Sequence, residues 1–204
     1  METQYKLTYF NGRGLAEPIR LLFAYAKVEY EDVRIEKPQW PSMKPTTPFG
    51  KLPILEFDGK KVGQSVAICR YLGKKWNLTG KDDWDSLQCD VLVDTLGDLK
   101  QQVGQYRMEQ DPAIKEEKKQ NLIKETIPFY LQKLEQIVKE NDDYLVGGQL
   151  TWADFQYAAS LENFELIFGK EALDQYPHLK ALKERVFELP GIKEWVAKRP
   201  VTEF

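Results

Sequence analysis

The chain has 204 residues, 42% of them hydrophobic and 30% charged, with a formal net charge of −3. That size and mix fit one large or two small globular domains with a sizeable core. The balance of charge argues against nucleic acid or an anionic membrane as a partner, and no run is long or apolar enough to span a bilayer.

The N-terminus, Met-Glu-Thr-Gln-Tyr-Lys, lacks the basic-then-apolar order of a signal segment, so a cytoplasmic protein is expected. Tyr5 to Phe10 alternates and predicts a strand. Asn11-Gly12-Arg13-Gly14 is a turn, and a helix follows with Pro18 in its first turns and Ile19, Leu22, Phe23 and Ala26 on its apolar side. Glu29 to Ile35 predicts a second strand. The next stretch is irregular, with Pro38, Pro41, Pro45 and Pro48 in it or at its edge, and it holds Trp40 and Lys44.

Leu52-Pro53 ends that loop directly at a short apolar strand, Ile54 to Phe57. A proline there has no N–H to donate, which leaves the backbone before it open to another partner, and the bond is a candidate for the cis form. Asp58-Gly59 is a hairpin turn and Lys61 to Gly63 the return strand. Gln64 and Ser65 open a helix with Ala67, Ile68, Tyr71 and Leu72 as its apolar side. Ser65 stands where free N–H groups and the helix dipole favour an anion. These features predict a groove for an extended peptide with a carboxylate.

Asn77 to Asp83 reads as a linker, and the rest as helices. Trp84 to Met108 carries Leu92, Leu96, Leu99, Val103 and Tyr106 on one side. Asp90, Asp94 and Asp98 recur every four residues along another. Asp111-Pro112 caps the next helix, whose buried side is predicted as Leu122, Ile123, Ile127, Leu131, Leu134 and Val138, with a kink at Pro128. Thr151 to Asp154 is a capping box and Leu150 with Phe155 a hydrophobic staple, starting a buried helix through Phe168. Helices around 179–187 and 192–197 close the chain. Two scattered cysteines, Cys69 and Cys89, and one histidine, His178, form neither a metal spacing nor a Cys–His pair.

This order, β-α-β-loop-β-β-α and then helices, resembles the cytosolic glutathione transferases over essentially the whole chain. Tyr5–Phe10, Trp40-Pro41, Pro48–Pro53, Gln64-Ser65, Val93-Asp94-Thr95 with Asp98, Leu150–Phe155 and Lys198-Arg199-Pro200 are similar to the sigma class, which includes prostaglandin D synthases. The resemblance implies an α/β plus all-α fold: a thioredoxin-like glutathione-binding domain over residues 1–76, then a helical domain over 84–204 that contributes an electrophile pocket. It implies a homodimer that uses glutathione as co-substrate, acts on small hydrophobic electrophiles, and needs no metal.

A redox relative would carry Cys at the end of the first strand, where this chain has Tyr9. A free thiol has a pKa of about 8.5, and a hydrogen bond given to the thiolate lowers it. The resemblance gives Tyr9 that role. It places Ser65 and Gln64 at the γ-glutamyl carboxylate, and Gly50, Leu52 and Pro53 along the cysteinyl part as a short added strand. Trp40, Lys44 and Lys51 would hold the glycyl end. Asp98 would reach the amino group of glutathione bound in the partner chain, with Arg70 of the opposite subunit neutralising Asp94 or Asp90. The electrophile pocket would draw on Phe10, Arg13, Gly14, Leu15, Tyr106 and Phe204.

Three departures stand out. Several relatives carry arginine where this chain has Leu15, so that help comes from Arg13 or is absent. Gly97 beside Asp98 replaces the paired aspartates of metal-binding members, and the tryptophan that the synthases place in the pocket is missing. The expected activity is conjugation of the glutathione thiolate to electrophiles, with peroxidase activity on lipid hydroperoxides as an extension. The alternatives are a prostaglandin D isomerase and a non-enzymatic crystallin-like member. Some of those crystallins have an insertion between their fourth and fifth helices, where this chain has only a short turn near Gln110.

Overall fold

The computed structural model describes residues 3–202. Four strands form one sheet in the order β2-β1-β3-β4, from β1 (Tyr5–Phe10), β2 (Tyr30–Ile35), β3 (Ile54–Phe57) and β4 (Lys60–Val62). β1 and β2 are parallel, joined through α1 (Glu17–Ala26), while β3 runs antiparallel to both β1 and β4. Between β2 and β3 lies the short helix α2 (Trp40–Met43), flanked by tight single turns. After the hairpin comes α3 (Ser65–Lys75). This is a thioredoxin-like unit.

Helices follow: α4 (Asp83–Met108), α5 (Pro112–Asn121), α6 (Ile127–Glu140), α7 (Trp152–Phe168), α8 (Pro177–Glu188) and α9 (Ile192–Lys198). The predicted caps are in place. The Asp111 carboxylate accepts from the N–H groups of Ala113 and Ile114, at 2.8 and 3.1 Å. Asp154 accepts from the Thr151 N–H at 2.6 Å, the Thr151 hydroxyl at 2.9 Å and the Leu145 N–H at 3.0 Å. Its complete burial still pushes that carboxyl up to about 6, against the pull of those donors.

Three stripes differ from the periodicity. α1 is buried from Glu17 through Phe23, not along one side, because it packs against α3, α7 and α9 as well as lying beside the sheet. In α3 the buried side is Ile68, Cys69, Leu72 and Gly73, whereas Ala67 and Tyr71 are exposed. The face is set by Trp152 of α7, which lies against Gly73. Ile123 is exposed as well, since α5 and α6 do not form one continuous α-helix. A π turn, Leu122–Thr126, separates them just before Pro128. Proline lacks the N–H for the normal bond and its ring crowds the carbonyl four residues back, which the wider turn relieves.

A Cβ added at Gly73 would lie 2.7 Å from the Cβ of Trp152, a fully buried side chain. Gly73→Ala should therefore destabilise the protein by about 1–2 kcal/mol, even though alanine favours the helix. Thermal unfolding would register this as a Tm several degrees lower; an unchanged or higher Tm would show that Trp152 can shift freely.

Candidate active site

Tyr9 sits near the end of β1, paired with Arg34 of β2. Its hydroxyl oxygen accepts the N–H of Leu15 at 3.2 Å. Gly14 has φ +39°, and a Cβ there would stand 2.6 Å from the Tyr9 hydroxyl. Glycine thus answers both the backbone and the space. Burial raises the phenol pKa above its ordinary value, while the Leu15 N–H and the Arg20 charge pull more weakly the other way. Tyr9 is therefore a neutral phenol near pH 7. Its lone pair is used by Leu15, which leaves its O–H proton to be donated outward.

A cavity of about 220 Å³ opens beside this hydroxyl. Gly14 and Leu15 line it with Tyr9. α4 contributes Lys100, Val103, Gly104 and Arg107, at the three- and four-residue spacing of one helix face. α7 contributes Ser160, Phe164 and Ile167 among others. The predicted Phe10, Arg13 and Tyr106 are not among the lining residues. Phe10 packs edge-on to Tyr9, Tyr106 stacks on Phe168, and Phe204 lies outside the described residues. Val103 belongs to the predicted apolar stripe of α4, which was the available signal, and Lys100, Gly104 and Arg107 lie beside that stripe. α7 is buried on all sides from Trp152 to Leu161, so no periodicity marks its cavity face.

On the other side of Tyr9, Trp40 meets the Phe10 ring edge-on at 5.8 Å, and Phe10 meets Tyr9 at 5.7 Å. The Lys44 side chain folds over Gly50, within 3.3 Å of where a Cβ would be. Lys51 is exposed. The Leu52–Pro53 peptide is cis and leads into β3. A Cβ at Gly63 would lie 3.8 Å from the Pro53 carbonyl oxygen, so this loop abuts the approach to α3. Gln64 caps α3 in a left-handed conformation, φ 69°, with no side-chain capping bond, and Ser65 is the first residue of the helix. Trp40, Lys44, Gly50 and Lys51 thus belong to the loop between β2 and β3. Gln64 and Ser65 lie beyond the hairpin that follows it.

Residues 5–74 match the family model described as glutathione S-transferase, N-terminal domain, and residues 97–199 match glutathione S-transferase, C-terminal domain. Glutathione S-transferase S1 of Drosophila melanogaster is 46% identical over 199 residues, covering 98% of this chain and 80% of that protein. The chain belongs to the glutathione S-transferase family. Among solved structures similar to this transferase is prostaglandin synthase D of Nilaparvata lugens, with TM-score 0.94 and 46% identity over 98% of this chain and 100% of that one. Another is a glutathione S-transferase of the hookworm Necator americanus, described as monomeric, with TM-score 0.89 and 36% identity over 98% and 100% of the two chains.

Two expected arrangements are different in this transferase. Arg13 does not stand free beside Tyr9. Its guanidinium donates to the Thr202 carbonyl at 2.8 Å and lies 3.5 Å from Glu162 of α7, so it ties the loop after β1 to the C-terminal segment. Arg20 is instead the cation that the Tyr9 phenol feels. Arg70 pairs with Asp90 within the same chain, at 2.6 Å, not across a subunit boundary. α3 and α4 of one chain come close enough at that point to satisfy Asp90 locally. Asp94 and Asp98 are exposed on α4. Among the described residues no group of three His, Cys, Asp or Glu is placed to hold a metal ion, and no helix is long and apolar enough to cross a membrane.

Proposed function

We propose that this glutathione transferase joins the sulfur of glutathione to small apolar electrophiles, with Tyr9 donating a hydrogen bond to the thiolate. The observation that carries this reading is the Tyr9 hydroxyl itself: buried, held neutral, acceptor to the Leu15 N–H, and open to the cavity. The bond favours the charged sulfur and lowers the thiol pKa, so more thiolate is present at neutral pH. The thiol proton leaves to water, and the sulfur attacks the electrophilic carbon of a molecule held in the cavity. An aryl halide then expels halide, while an unsaturated aldehyde opens its double bond and takes a proton from water, and Tyr9 keeps its proton throughout. Val103, Phe164 and Ile167 supply apolar surface for that molecule.

For glutathione we assign the γ-glutamyl carboxylate to Ser65 and Gln64 at the start of α3, where unpaired N–H groups and the helix dipole attract an anion. The backbone of Leu52, ahead of Pro53, pairs with the cysteinyl part. Gly50 gives the loop its left-handed bend, and Trp40, Lys44 and Lys51 take the glycyl end. In this reading residues 1–76 bind glutathione, residues 84–204 complete the electrophile site, and the protein is a cytoplasmic homodimer. Exposed apolar side chains on α3 and α4, Tyr71, Leu87 and Val91, favour a partner surface. A conjugation assay with a nitroaryl halide tests the activity directly; no glutathione-dependent product from a panel of aryl halide, unsaturated aldehyde and lipid hydroperoxide would remove it. Product analysis with a prostaglandin endoperoxide separates the isomerase.

The dimer carries its own expectation. With Asp98 reaching the amino group of glutathione in the other chain, Asp98→Ala should raise the glutathione KM by removing a charge pair worth about 1–3 kcal/mol. The pH profile of kcat should stay in place. Mixing Tyr9→Phe subunits with Asp98→Ala subunits should restore one intact site per heterodimer. An active monomer in sedimentation, or no recovery on mixing, overturns the shared site. Mg²⁺ and chelators should leave activity unchanged, because Gly97 beside Asp98 offers too few oxygen ligands for a hard cation.

A further inference from the structure

The cavity beside Tyr9 is not a purely apolar slot. α4 turns two cations toward it, Lys100 and Arg107, seven residues and two helical turns apart. None of its lining residues is acidic. Elsewhere, the buried cations Arg20 and Lys183 are matched, Arg20 with Glu17 and Asp32 and Lys183 with Glu165, as are the half-buried Arg13 with Glu162 and Arg199 with Glu17 and Glu162. Among the described residues no carboxylate pairs with the side chain of Lys100 or of Arg107.

Lys100 is partly buried, and desolvation pulls its pKa below the usual lysine value. The one titratable neighbour acting the other way is Cys69 of α3, whose thiol burial pushes up to about 12 and so keeps neutral. An ammonium withdrawn from water without a counter-ion costs free energy, and the missing partner is an anion. Around it, Leu15, Val103, Phe164 and Ile167 form an apolar lining. Such a space fits a molecule with an apolar body and one anionic end.

We propose that Lys100, supported by the more exposed Arg107, is a specificity-determining residue that selects electrophiles carrying a carboxylate, binding the anionic end within the cavity that Tyr9 borders. This rests on the transferase reading and names the substrate class of the same site. Arg107, nearer the solvent, draws the anion in; Lys100 holds it where water is scarce and the ion pair is strongest.

The test compares two nitroaryl halides with the same reacting carbon, 4-chloro-3-nitrobenzoate and its methyl ester. Their binding is measured by calorimetry on the intact protein with S-methylglutathione filling the glutathione site, so that no turnover intervenes. The acid should bind about tenfold more tightly than the ester, the worth of one charge-assisted hydrogen bond. In Lys100→Met the ratio should fall to within about twofold of one, and in Lys100→Arg it should persist. Lys100→Gln replaces the methionine variant if that one does not fold. A wild-type ratio near one, or a preference that survives in Lys100→Met or Lys100→Gln, overturns the proposal. Conjugation of the ester, followed in parallel, reports the transferase activity separately. Turnover with a ratio near one sinks only the anion site, and a tenfold ratio without turnover sinks only the transferase reading.

Discussion

Tyr9→Phe should slow conjugation by tens-fold near neutral pH while glutathione affinity changes little. The substitution removes one oxygen from a buried ring and leaves the ring in place. The lost interaction is a charge-assisted hydrogen bond to a thiolate, on the order of 2 kcal/mol. Because the bond favours the ionised sulfur, its loss raises the pKa of bound thiol, and the pH–rate profile should move to the alkaline side. The residual rate should therefore recover in part as pH rises. A companion change, Gly14→Ala, would press a methyl group against the same hydroxyl and strain a left-handed backbone. A variant Tyr9→Phe with wild-type kcat and an unmoved profile would take Tyr9 out of the chemistry.

Glu17→Ala should be the most destabilising single change near the site. Glu17 is 1% exposed and accepts from Arg20 at 3.2 Å, the Trp195 indole at 2.9 Å and Arg199 at 2.8 Å. It joins α1 to α9, while Arg199 also bonds Glu162 of α7 and Arg20 also bonds the Gly12 carbonyl at 2.6 Å. Removing the carboxylate leaves each guanidinium with one remaining carboxylate, Asp32 for Arg20 and Glu162 for Arg199, and a buried gap between them, at a cost of about 2–4 kcal/mol, or roughly 10 °C in Tm. Glu17→Gln should fall between, since it keeps the shape and some hydrogen bonds.

The same residue has a pH signature. Burial works to raise its pKa, but Arg20 and Arg199 outweigh it and the net shift is downward. A carboxyl with a depressed folded pKa contributes stability that is complete above its unfolded value, about 4.5, and is lost as pH falls toward the folded one. In urea unfolding, the gap between wild type and Glu17→Gln should be constant above about pH 5 and narrow on further acidification. A gap that does not depend on pH would show that the carboxylate charge contributes nothing.

Much of this was legible in the amino-acid order because it is local. Alternation in Tyr5–Phe10, the Asp58-Gly59 hairpin and the caps at Asp111 and Thr151–Asp154 each depend on neighbours a few residues away. So does the place of Tyr9 at the end of the first strand and of Ser65 at the start of a helix. Where a helix meets more than one neighbour, periodicity stopped being informative. α1 and the first part of α7 are buried all round, and the buried face of α3 is turned by contact with Trp152.

The order of residues was enough for the succession of elements, the two halves of the fold and the tyrosine at the strand end, since backbone geometry and short-range hydrogen bonds follow from residues close in the chain. The fate of the charges was settled by the folded chain. Arg13 could equally have faced the thiol, and Arg70 the partner chain. Glu17 reads as an ordinary acid in a first helical turn, and Lys100 as one more surface cation. Their roles depend on residues tens to nearly two hundred positions away, such as Thr202, Asp90 and Arg199. A charge's free energy is set by what surrounds it and how much water is left, and neither is known until the chain has closed on itself.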